Sequence, residues 1–150
     1  MNRATRALFL ALCVSAVMTG AAAAKPGGIS TVALNNGQET TDAKFGGSGS
    51  FIWWVDGNAL CYELSVKNLT AAPLFDHIHI GDKHVAGPVV VTLMTPPAAT
   101  SIVTECITAD AEGEDMTSAE LAAIVANPGA YYVNVHTPLF PGGEVRGQLK

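Results

Sequence analysis

Residues 131–149, YYVNVHTPLFPGGEVRGQL, hold two short runs in which apolar residues take every second position. In Tyr131-Tyr132-Val133-Asn134-Val135-His136, Tyr131, Val133 and Val135 go to one face, and Tyr132, Asn134 and His136 to the other. Successive side chains of a strand point to opposite sides, so the spacing predicts a strand with one apolar and one polar face. Glu144 to Leu149 repeats the division: Val145 and Leu149 turn inward, while Glu144, Arg146 and Gln148 share the polar side. Pro138 to Gly142 supplies the turn between them. With Thr137 opposite Gly143, His136 faces Glu144 and Asn134 faces Arg146. Pro141-Gly142-Gly143 suits a turn needing positive φ, and Gly147 marks a bulge or a close backbone approach.

The same pattern extends upstream. Ser30–Leu34, Ser50–Val55, Leu60–Val66, Phe75–Ile80, Val89–Met94 and Ile102–Thr108 read as strands separated by turn residues. Asn35-Asn36-Gly37 and Asp56-Gly57 are hairpin-type turn signals. About eight short strands at close spacing predict a mainly β chain, an antiparallel β-sandwich or barrel. One segment departs from the pattern. Thr117-Ser118-Ala119-Glu120 is a capping-box spacing, followed by Leu121, Ile124 and Val125 and stopped by Asn127-Pro128-Gly129. It predicts one short crossover helix with those three residues against the sheet. Trp53 and Trp54 alternate across a strand, so one is buried and the other packs under a loop or anchors a partner.

At the N-terminus, Arg3 and Arg6 precede an apolar run from Ala7 to Met18 and then Ala21–Ala24. This is the layout of a secretory signal peptide, residues 1–24, cleaved after Ala24. The run is too short for a membrane span, and no transmembrane segment follows it. The expected mature domain is residues 25–150, secreted or periplasmic. Net charge is -5 for the whole chain. The leader holds two of the cations, so the mature domain is more acidic still, which excludes a nucleic acid partner held by electrostatics. Cys61 and Cys106 remain in the mature domain, each in a β-like run. In an exported protein they are expected to pair as a disulfide, with two buried thiols as the alternative.

The chemistry lies in the histidines. His77 and His79 in Asp76-His77-Ile78-His79-Ile80-Gly81 share one face of their strand, about 7 Å apart along it. His136 lies on the polar side of its own strand. Three imidazoles brought together would bind copper or zinc in preference to calcium or magnesium, leaving a position for water or a fourth ligand. Glu144, Arg146 and Asn134 are the candidates for orienting them from behind. The plain alternative is three surface histidines on strands that never meet. His84, in Asp82-Lys83-His84, reads as loop. No nucleophile–base signature is visible, so an enzyme is the less favoured class.

The string HIHIGDKHVAGPVVVTL (77–93), with YYVNVHTPLFPGGEVRGQL, resembles the chordin-domain (CHRD) family. NNGQETTDAKFGGSGSF and ALCYELSVKNL are similar to its looser N-terminal half, so the resemblance runs from about Val32 to Lys150. His77, His79, Gly81, His136, Gly142, Gly143, Glu144, Arg146 and Gly147 match its motif by position. The resemblance implies a β-sandwich or barrel module of immunoglobulin-like size, here a stand-alone secreted member of bacterial type. It supplies no catalytic residues. Chordins pair such modules with cysteine-rich domains that bind growth factors, and this chain has none of those. Three functional classes follow: a binding module for one metal ion, a structural module contacting an unidentified protein partner, and a superoxide dismutase-like enzyme. The last needs more histidines than this chain has to spare.

Overall fold

The computed structural model describes residues 28–44 and 46–150, so the signal-peptide reading of residues 1–24 lies outside them. The strands are β1 (Ser30–Asn35), β2 (Ser48–Asp56), β3 (Ala59–Lys67), β4 (Phe75–Ile80), β5 (Val89–Leu93), β6 (Ser101–Thr108), β7 (Tyr131–His136) and β8 (Val145–Gln148). They form one curled antiparallel sheet, a half-barrel, in the order β5-β4-β7-β8-β1-β2-β3-β6. The period-2 alternation placed all eight, and the bounds of β4 and β7 agree with the sequence to the residue. Asp56-Gly57 makes the tight β2–β3 hairpin, with Gly57 at φ 60°.

Asn35-Asn36-Gly37 does something different. Ser48 pairs with Asn35, so a long connection separates β1 from β2, and Asn36–Gln38 forms a 3-10 turn within it. The turn is drawn away from a hairpin by Asn36, whose Nδ2 donates to the Glu144 carbonyl at 2.8 Å, and it packs on β8.

Val32, Phe51, Leu64, Ile78, Val91, Val133, Val135 and Val145 fill the concave face of the sheet. Helix α1 (Ser118–Ala126) adds Leu121 and Ile124 to this core, with Val125 packed beside them. Thr117 caps it through the predicted box, its hydroxyl accepting from the Glu120 N–H while the Glu120 carboxylate accepts from the Thr117 N–H. Trp53 is buried and Trp54 half-buried. Cys61 and Cys106 face each other across β3 and β6 and are joined by a disulfide. Among the described residues no helix is long and apolar enough to cross a membrane.

The second face of the sheet decides where the site lies. All six residues of β7 are buried, so its polar side is covered as well as its apolar side. One cover is the 36–44 segment, anchored where Thr41 Oγ1 donates to the Gly143 carbonyl at 2.8 Å. The other is the 81–87 loop, which Gln148 ties down through its Nε2 to the Gly81 carbonyl at 2.8 Å.

Candidate metal centre

Strand β7 lies between β4 and β8, and the registers bring the polar residues of all three side by side. Phe75 pairs with His136, His77 with Asn134 and His79 with Tyr132, while Asn134 also pairs with Arg146. Asn134 therefore occupies the middle of a grid with histidines around it. His77, His79 and His136 each place one ring nitrogen within 4.8 Å of the others. His77 Nδ1 and His136 Nε2 are 3.3 Å apart. His79 and His136 are buried, and His77 is half-buried at the open side. The pairing of β4 with β7 thus brings residues nearly sixty positions apart into one cluster that could hold a metal ion.

Two of the rings have their tautomer set by the backbone. His79 Nδ1 donates to the Gly87 carbonyl at 2.9 Å, and His136 Nδ1 donates to the Pro141 carbonyl at 2.9 Å. A carbonyl only accepts, so each neutral ring keeps its lone pair on Nε2, the atom turned toward the cluster. Backbone carbonyls commonly orient metal-binding imidazoles in this way. Burial lowers all three histidine pKa values, and the mutual repulsion of neighbouring imidazoles lowers those of His77 and His136 further. That of His136 falls to about 4, despite its bond to Pro141. The cluster is neutral at pH 7, the state that binds metal.

The CHRD domain profile matches residues 30–149. The chain belongs to the CHRD domain family. No curated protein and no solved structure gives a match.

In this CHRD domain Tyr132 links the histidines to Arg146. The His79 ring stacks on Tyr132 with centroids 4.8 Å apart and planes 2° from parallel. The Arg146 guanidinium carbon lies 3.3 Å from the centroid of the same phenol ring. Arg146, only 1% exposed, then donates from Nη1 to the Val85 carbonyl at 2.8 Å and from Nη2 to the Asp82 carbonyl at 2.6 Å. It thereby fixes the 81–87 loop, which supplies the Gly87 carbonyl to His79. Gly87 in turn donates its N–H to Tyr132 Oη at 3.1 Å. Arg146 acts on the site through the loop, without bonding a histidine.

The Glu144 carboxylate finds its partners among threonines. Its backbone lies next to His136 as expected, but its carboxylate accepts from Thr137 Oγ1 at 2.7 Å and from Thr70 Oγ1 at 2.6 Å and the Thr70 N–H at 2.9 Å. Glu144 precedes β8, where the pleat no longer fixes which side a residue takes. The Pro141 carbonyl holds His136 in its place. His84 is exposed at φ 63° in the 81–87 loop and stands apart from the cluster.

Glu39 was not among the sequence candidates. It is 7% exposed, and burial raises its pKa to about 7. Its carboxylate lies against Gly143 and interacts with Arg146 and the Asn134 side chain. Glu39 sits in a segment without hydrophobic periodicity, about a hundred residues in sequence from Asn134, Gly143 and Arg146, and the only signal for it was a carboxylate in a polar stretch.

Proposed function

We propose that this CHRD domain is an exported binding module, residues 25–150, secreted or periplasmic, that holds one copper or zinc ion through His77, His79 and His136. One observation carries the reading: three neutral imidazoles converge, two of them locked by backbone carbonyls with the Nε2 lone pair facing the others. Imidazole donors suit copper and zinc, and the carbonyls behind His79 and His136 are the arrangement that makes such donors effective. The disulfide supports residence outside the reducing cytoplasm. A net charge of -5 argues against a nucleic acid partner held by electrostatics. The sequence carries no recognisable nucleophile–base signature, so binding is the reading preferred over catalysis.

The test is metal content of the mature domain, prepared without a histidine tag, with copper and zinc titrated against the His77/His79/His136 triple alanine variant. Near-stoichiometric metal in the wild type that is lost in the variant supports the reading. Absence of metal in both overturns it, leaves the histidines as architecture and turns attention to a protein partner.

A further inference from the structure

Asn134 stands at the centre of the histidine cluster, cross-strand from His77 and between His136 and Tyr132 on the polar face of β7. It is 2% exposed, and its Oδ1 has no hydrogen-bond partner. His79 Nε2 is also buried without a partner, and the Asn134 side chain lies within electrostatic reach of that ring. Neither atom can satisfy the other. The His79 proton is on Nδ1, given to Gly87, so Nε2 presents a lone pair, as does an amide oxygen. The Glu39 carboxylate interacts with the Asn134 side chain, and a carboxylate draws the N–H end of an amide, which turns the oxygen the other way. Most buried polar atoms in folded proteins find a partner, and two neighbouring acceptors are satisfied together by a cation.

We propose that Asn134 Oδ1 is the fourth protein donor of the metal site, set in place by Glu39, and that this oxygen selects a divalent ion over cuprous copper. The inference rests on the three-histidine reading and extends it. An amide oxygen is a hard donor. It strengthens the hold on Zn(II) or Cu(II) and adds little for Cu(I), which soft donors favour. Glu39 serves as the positioning residue, and Gly143 leaves the space in which its carboxylate lies.

The test compares Zn(II) and Cu(I) affinities of the wild type and Asn134→Ala by competition with chelators of known strength. The expected result is zinc binding weakened about tenfold or more, the size of effect seen when a supporting group of a metal site is lost. Cu(I) affinity should stay unchanged. Equal losses for both ions, or no loss for either, overturn the proposal while leaving the three-histidine site standing. A wild type that binds neither ion overturns both. Because Asn134 is buried, the wild type also carries a test that needs no substitution. The side-chain amide 15N–1H pair of Asn134 should shift on addition of one equivalent of Zn(II), and by more than with Cu(I). An unmoved pair with zinc overturns the assignment.

Discussion

A Cβ at Gly143 would lie 2.3 Å from Glu39 Oε1, so the bare backbone of one residue is what admits the carboxylate of the other. Gly143 also has φ 122°, a conformation that side chains avoid. Gly143→Ala should therefore lose roughly 2–4 kcal/mol, the sum of backbone strain and the collision. Adding Glu39→Ala should recover the collision part and leave roughly 1–2 kcal/mol of strain. Urea unfolding of the four proteins in the cycle measures the coupling, and additive losses would show that the two residues do not oppose each other.

Arg146→Lys is the next expectation. An ammonium cannot span the Val85 and Asp82 carbonyls while lying flat on Tyr132. Removal of these contacts should destabilise the protein by about 2–3 kcal/mol and loosen the 81–87 loop first. Hydrogen exchange at the Val85 and Gly87 amides, bonded to the Asp82 carbonyl and Tyr132 Oη, reports it directly. Unchanged protection there would show that the loop holds itself.

The disulfide and the histidines lie at opposite ends of the strand order, with β8, β1 and β2 between β7 and β3. A paired Cys61→Ser/Cys106→Ser variant should lose about 3–4 kcal/mol through the greater freedom of its unfolded chain. Its metal affinity at a temperature where it remains folded should equal that of the wild type. A parallel fall in affinity would mean that the sheet transmits strain across its whole width.

Asp76 points into the apolar face of the sheet, opposite Leu93 and Val135, fully buried and with no hydrogen bond to either carboxylate oxygen. Burial raises its pKa from 3.8 to about 7. Between those values the unfolded chain has given up the proton and the folded chain has kept it, so stability falls as pH rises through the interval. Asp76→Asn lacks that proton. Its stability relative to the wild type should climb by a few kcal/mol, as an order of magnitude, between about pH 4 and pH 7, then level off. A difference that is flat with pH in denaturation at pH 4, 6 and 8 would refute the assignment.

Much of this architecture is local and therefore legible in sequence. The alternation in Tyr131–His136 and Phe75–Ile80 fixes which side each residue takes, and the loop from Thr137 to Gly143 fixes the register that sets Asn134 beside Arg146. Gly147 behaved as its place in a strand suggests: a Cβ there would meet Val32 and the Ala33 carbonyl at 2.5 and 2.6 Å. What alternation cannot supply is which strands become neighbours, and the placing of β4 beside β7 was the step that turned three histidines into a cluster. Nor does it reach Glu39 or the carboxylate of Glu144, because both belong to segments outside the strands. The burial of Arg146 was equally hidden, since its cover comes from the loop at Asp82 and Val85.

The C-terminal hairpin has a larger part than its length suggests. Strands β7 and β8 are inserted between β4 and β1, so the ladder from β1 through β2 and β3 to β6 joins the β4–β5 pair only through residues 131–148. The two strands that close the sheet lie later in the sequence than the strands on either side of them. Contacts so distant in sequence form slowly. Clipping the chain before residue 131 would divide the sheet and remove His136 in the same cut, making metal retention a gauge of whether the polypeptide is intact.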